Sequence, residues 1–331
     1  MKKLFIAVIF IFSILFATCN NPDSNTENTE EEIIYTPPPT GVYIAGITDD
    51  GQFCYWTDNN RIDIGFYRNW PESIMVSDGS VLVFGDNGLY WVDGERYEIM
   101  NFENRKVIIN RGKVYKFEGP RNFWIDGVLI ENTNYFNSGF DFYDFDVFNG
   151  KMYITGIRNV TKRPLYIFEY DRYFLINFIT IDAEITSFIP KAITVSDDGT
   201  VYVFGQNARY NPDKAWYYSE GIFYEIEEFN NSFSGCRITV SDGKVYIFPD
   251  LNNVREAGFF CNYWIDGKKV SVSVTDGNIR YITVSGGKTY MAGLYLKAIS
   301  EDEYTTAACY WIDGVRYNLD GQGASAIYVK E

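Results

Sequence analysis

The sequence predicts an all-β chain whose residues 41–331 form a seven-bladed β-propeller of four-stranded antiparallel blades. Its ring is closed by the C-terminal strand, and a signal peptide and flexible tether precede it. Three observations predict it. Asp-Gly and Gly-Gly pairs recur between short alternating apolar runs. A Trp recurs in the strand before most second turns of a repeat. The whole pattern repeats along the chain, and four strands per repeat at such a period mean propeller blades.

The N-terminus reads as an export signal over residues 1–18. Lys2 and Lys3 precede an apolar run from Leu4 to Ala17, broken only by Ser13. That run has the length of a signal-peptide core and falls short of the ~20 residues a spanning helix needs. The segment Leu15-Phe16-Ala17-Thr18-Cys19 resembles the lipobox of bacterial lipoproteins. The resemblance implies lipidation of Cys19, whose thiol would form the thioether to diacylglycerol. Residues 19–40 follow as a tether rich in Asn, Asp, Ser, Thr and Glu, ending in Pro37-Pro38-Pro39. It carries almost nothing apolar to bury, so it is expected to be extended.

The repeats begin after the tether. Ile238-Thr-Val-Ser-Asp-Gly-Lys-Val-Tyr-Ile-Phe248 is echoed at Ile193–Phe204 and Ile282–Met291. Tyr263-Trp-Ile-Asp-Gly267 is echoed at Tyr310–Gly314, Tyr90–Gly94 and Phe123–Gly127. Each pair of elements reads as two hairpins, because Asp-Gly supplies the positive φ values that two-residue turns require. The second turns align at Asn60, Gly94, Gly127, Arg172, Gly221, Gly267 and Gly314, which gives seven units. The fourth, around Phe142–Ile185, is the most degraded. Trp56, Trp91, Trp124, Trp264 and Trp311, with Tyr218 in the fifth unit, read as core wedges between blades.

The chain ends complete the ring. The first unit starts at Gly41–Ile44, which corresponds to a second strand, and Ala324–Val329 reads as a surplus first strand. Pairing of the tail with Val42–Ala45 would complete the first blade and remove an open edge.

Over residues 41–331 the layout resembles that of WD-repeat and Kelch-like propellers. Tyr55-Trp56-Thr57-Asp58 spells the YWTD motif of lipoprotein-receptor propellers, but on a third strand instead of a second. Val203-Phe204-Gly205 resembles a Kelch strand without the second Gly. Propeller lipoproteins of bacterial envelopes are the nearest overall likeness, and they imply a scaffolding or ligand-binding role.

Composition narrows the chemistry. The formal charge is −15 and there is no His. The charge disfavours a nucleic-acid partner, and the missing imidazole removes Ser-His-Asp and Cys-His catalysis. No phosphate loop, Cys-x-x-Cys pair or Ca²⁺ loop occurs, so no cofactor and no metal are expected. The Asp-Gly aspartates (Asp78, Asp93, Asp126, Asp242, Asp266, Asp313) read as turn chemistry, since rim turns cannot converge on one ion. Cys54, Cys236, Cys261 and Cys309 are expected to be free, buried thiols, because blade geometry holds them too far apart to bridge.

The middle loop of each blade is short in units 1 to 3. It is long in units 4 to 7, over Arg158–Pro164, Gln206–Lys214, Pro249–Gly258 and Leu294–Thr306. Long loops on a rigid scaffold concentrate binding residues. The candidate contacts are Arg158, Arg163, Arg209, Tyr210, Arg255, Tyr295, Lys297 and Tyr304. The expected role is a lipid-anchored binding or scaffolding module of the bacterial cell envelope, for a protein or glycan partner. The alternative is a carboxylate-based hydrolase on the same scaffold; no catalytic residue is assigned.

Overall fold

The computed structural model describes residues within 38–330, apart from 59, 67–69, 78, 86–88, 99–104, 112, 119–121, 127, 131–139, 159–164, 172–173, 182–187, 208–213, 230–235, 250–259, 275–276 and 301–302. Residues 1–37, over which the export signal and Cys19 lipidation are expected, lie outside this set.

Every described element is a strand. The first sheet contains β1 (Val42–Ile47), β2 (Gln52–Thr57) and β3 (Asn60–Phe66). The second is β4 (Ser73–Ser77), β5 (Ser80–Phe84), β6 (Leu89–Val92) and β7 (Glu95–Glu98). The third is β8 (Arg105–Asn110), β9 (Lys113–Glu118), β10 (Asn122–Ile125) and β11 (Val128–Ile130). The fourth is β12 (Phe140–Phe148), β13 (Lys151–Arg158), β14 (Leu165–Asp171) and β15 (Phe174–Ile181). The fifth is β16 (Phe188–Val195), β17 (Val201–Asn207), β18 (Ala215–Ser219) and β19 (Ile222–Ile226). The sixth is β20 (Cys236–Ser241), β21 (Lys244–Pro249), β22 (Phe260–Ile265) and β23 (Lys268–Ser273). The seventh is β24 (Asn278–Ser285), β25 (Lys288–Ala298), β26 (Tyr304–Ile312) and β27 (Val315–Asn318). Finally β28 (Gly323–Val329) joins the first sheet.

Among the described residues these strands thus make seven four-stranded sheets, and the pairings within them are antiparallel. They are the blades of a propeller. The degraded fourth unit is a full sheet, in which β12 has nine residues.

The last strand meets the first, as the surplus strand implied. β28 pairs with β1 in the register Val42↔Val329, Tyr43↔Tyr328, Ile44↔Ile327 and Ala45↔Ala326. Side chains lock the same seam. Trp56 Nε1 donates to Asp320 Oδ1 at 2.7 Å, and Arg61 Nη1 pairs with Asp320 Oδ2 at 2.9 Å.

The core lies between sheets. Trp56, Trp91, Trp264 and Trp311 are buried on third strands, as is Tyr218, while Trp124 is half-buried. Ring contacts cross the inter-sheet gap: Phe53 to Trp91 at 5.1 Å, and Phe123 to Phe142 at 5.6 Å. Cys54, Cys236, Cys261 and Cys309 are buried thiols that join in no disulfide among the described residues. Burial pushes the Cys261 thiol up to about 12 and raises that of Cys54 as well.

The recurring turn aspartates have a specific task. Asp93, Asp126, Asp266 and Asp313 take φ values of 49–50°. That places each carboxylate against the start of the second strand of its own blade. Asp93 accepts from Val81 N, Asp126 from Val114 N, Asp266 from Val245 N and Asp313 from Thr289 N, all at 2.8–2.9 Å. Each Asp backbone N–H donates back to the carbonyl of the same residue. A cyclic pair of bonds therefore ties the last hairpin to the second strand, which accounts for the recurrence of Asp at this position.

Candidate functional site

The innermost strands enclose a channel of about 1470 Å³. Its lining comes from β4, β8, β12, β16, β20, β24 and β28. Inner strands of neighbouring blades share no ladder, so their polar groups are free to face the channel or bridge to the next blade.

On one side the groups bridge. Asp144 Oδ2 accepts from Ile193 N at 2.9 Å, and Asp146 Oδ2 from Val195 N at 2.8 Å. Asp144 and Asp146 of β12 therefore hold the backbone of β16. Lys106 on β8 reaches Asp144 at 3.2 Å. Burial raises the Asp144 pKa more than Lys106 and the Ile193 N–H lower it. For Lys106, burial disfavours the charge, but Asp144 and then Asp146 outweigh it and raise its pKa. These acids are structural staples, with their oxygens already committed.

Further round the ring the cations are differently placed. Arg237 on β20 donates to Ile282 O at 3.0 Å and lies 3.5 Å over the Tyr281 ring. Arg280 on β24 lies 4.1 Å over the Trp70 ring. Its Nε is buried with no hydrogen-bond partner, and none of the ion pairs among the described residues includes it. Burial alone draws its guanidinium below the ordinary pKa.

Arg280 reaches the channel through a local irregularity. Ile279 pairs with Gly293 and Tyr281 with Ala292, so Arg280 is the extra residue of a β-bulge. The same device recurs on three other innermost strands, where Tyr143, Lys191 and Ser325 are the extra residues. Tyr143, Lys191 and Arg280 line the channel, while the Ser325 hydroxyl donates to Pro71 O at 2.6 Å. Opposite each of these four bulges, on the second strand, stands a glycine: Gly46, Gly156, Gly205 or Gly293. The bulged backbone presses on it. A Cβ at Gly293 would lie 2.0 Å from Asn278 O, one at Gly46 2.2 Å from Gly323 O, and one at Gly205 2.5 Å from Ile189 O. The Arg280 bulge lies at the end of the channel nearest the β25–β26 turn, since Asn278 pairs with Leu294.

The residues singled out from the loops are only partly brought together. Arg163, Arg209, Tyr210 and Arg255 lie outside the described residues, and Arg158 is the last residue of β13. The Leu294–Thr306 loop is largely a hairpin: β25 and β26 stay paired out to Ala298↔Tyr304. Tyr304 is 60% exposed there, beside Leu296 at 68%, and Lys297 pairs with Thr305. Tyr295 does not face solvent. It is buried, with the Arg316 guanidinium 4.4 Å above its ring. The β25–β26 ladder runs through Tyr295↔Ala307 and on to Ala298↔Tyr304, so Tyr295 is a strand residue and not a loop residue, which explains the correction. The channel residues went unread because the bulge position carries a different residue in each blade: Tyr143, Lys191, Arg280 and Ser325. Their trace in the sequence is the lone glycine inside a second strand, a known mark of a bulge.

No protein-family profile and no curated protein matches the chain. Solved structures do. The dihydro-heme d1 dehydrogenase NirN, in complex with DHE, matches at 10% identity and TM-score 0.50, covering 90% of this chain and 77% of that one. A puromycin-hydrolyzing peptidase of Mycobacterium tuberculosis matches at 7% identity and TM-score 0.50, covering 87% and 52%. The β-propeller domain of the Trilobed protease from Pyrococcus furiosus matches at 14% identity and TM-score 0.48, covering 87% and 97%. The likeness is one of fold alone, and fold does not carry activity.

Proposed function

We propose that the protein is an envelope lipoprotein, anchored through Cys19, whose propeller binds a partner at the channel mouth on the β25–β26 side. One observation carries the binding reading. The channel acids Asp144 and Asp146 are spent on stapling β12 to β16, while the wall further round the ring keeps an Arg with an unbonded Nε beside half-buried aromatic rings. That arrangement favours holding an anionic ligand at the Arg280 wall, since a guanidinium is matched by a carboxylate or phosphate.

The test applies the full chain, purified in detergent, to arrays of glycans and envelope proteins. Specific capture that is lost on replacing Arg209, Arg255 and Tyr304 together with Ala supports the reading. Capture that survives the triple replacement moves the site elsewhere, and hydrolysis of any array member overturns the binding-module reading. Labelled palmitate entering the wild type but not Cys19→Ala supports the anchor; label in Cys19→Ala overturns it.

A further inference from the structure

The wall around Arg280 points to the chemical class of the ligand. Among the described residues, the charged ones lining the channel are five cations (Lys106, Lys191, Arg237, Arg280, Lys330) and four acids (Glu72, Asp144, Asp146, Asp197). The lining is thus slightly positive in a chain whose formal charge is −15. Two of those acids are bound to backbone N–H groups, and one of the two also to Lys106. Arg280 is half-buried, with its Nε enclosed and without an acceptor, which is costly to keep, and a planar fork of N–H donors is matched by a carboxylate or phosphate. Trp70 and Tyr281 add flat apolar faces within reach of the two arginines.

We propose that Arg280 is the oxyanion-binding residue of the channel, receiving the carboxylate or phosphate of an acidic saccharide. This rests on the binding reading above and deepens it. The bulge is what makes the site: without the extra residue, position 280 would follow the alternation of its strand and pair across from the second strand. Trp70, 4.1 Å from the guanidinium, holds it by cation–π contact, so the ligand would meet the terminal Nη groups and not the enclosed Nε. Arg237 differs, because its Nη2 already donates to Ile282 O.

Calorimetry on the full chain would use glucuronate and galacturonate, then glucose 6-phosphate, with glucose and galactose as neutral controls. The two acidic arms separate a carboxylate from a phosphate source. The expected result is that at least one acidic sugar binds about tenfold or more tightly than its neutral counterpart, the discrimination a charge-assisted pair supplies. Arg280→Met should remove that preference and Arg280→Lys should restore part of it, with melting temperatures checked for both. Should Arg280→Met fail to fold, Arg280→Gln, which keeps a polar side chain, takes its place. Equal affinity for acidic and neutral sugars, or a preference that survives in Arg280→Met, overturns the proposal while leaving the binding reading standing. Absence of binding by every sugar overturns it too, and the array experiment then decides the binding reading on its own.

Discussion

Replacing Gly293 with Ala tests the pairing of glycine and bulge. The added Cβ would sit 2.0 Å from Asn278 O and 3.0 Å from Trp311 Cζ3. An ordinary carbon–oxygen contact is more than 1 Å longer, as weak Cα–H···O contacts at ~3.3–3.6 Å show. Neither neighbour yields easily. One is a backbone carbonyl beside the bulge and the other a buried Trp. Overpacking of this kind costs about 3 kcal/mol, the upper part of its usual range. For a domain of this size that lowers the melting temperature by roughly 6 °C, at ~2 °C per kcal/mol. Gly85→Ala is the internal control. It lies next to a sheet whose inner strand pairs without a bulge, and its nearest neighbours are ring atoms of Phe53 and Trp91 at 3.0 and 3.2 Å. Its expected effect is about 1 kcal/mol. Circular dichroism melts and urea titrations read both. Equal shifts for the two variants, or a Gly293→Ala protein that melts with the wild type, would refute the reasoning.

Other outcomes follow from the same geometry. Asp266→Ala loses the acceptor for Val245 N, whereas Asp242→Ala shares only the positive φ, 50° against 49°; urea titration should separate them by about 1 kcal/mol. Deleting Ala324–Glu331 strips β28 from β1, so the protein should aggregate or lose its single melting transition; an unchanged transition would disprove the seam. Lys106→Met leaves the Asp144 carboxylate without its cation. A carboxyl pKa raised in the folded state stabilises the fold below it and loses that stabilisation as pH rises through it. The variant should therefore match wild type near pH 4 and fall about 2 kcal/mol behind at neutral pH, a figure kept below that of a fully buried pair because Lys106 is partly exposed. A gap that does not grow with pH would sink this. Maleimide mapping by mass spectrometry should label Cys54, Cys236, Cys261 and Cys309 only after denaturation, and labelling of the native protein would contradict their burial.

The blades were legible because their signals are local. Asp266-Gly267 makes its turn from two adjacent residues, and Trp264 announces the strand beside it. The seam was legible because Ala324–Val329 left a strand without a partner. The bulges were not legible. Gly293 is explained only by Asn278 across the sheet, and Arg280 matters only because Trp70 comes from a different part of the ring. Tyr295 was misplaced for a related reason: the β25–β26 ladder continues past the point where blades end in the shorter units, so a residue taken for a loop is a core ring under Arg316.

The seam also sets how the domain resists pulling. Lys330 N donates to Gly41 O at 2.8 Å, so both ends of the folded region leave side by side. A load entering through Gly41 runs lengthwise along β1, which is held on one edge by β28 and on the other by β2. Ladder bonds perpendicular to the strand then share the force and must rupture together, instead of opening one at a time from a free end. The blade that carries the attachment point is loaded in shear, the direction in which a β-sheet is mechanically strongest.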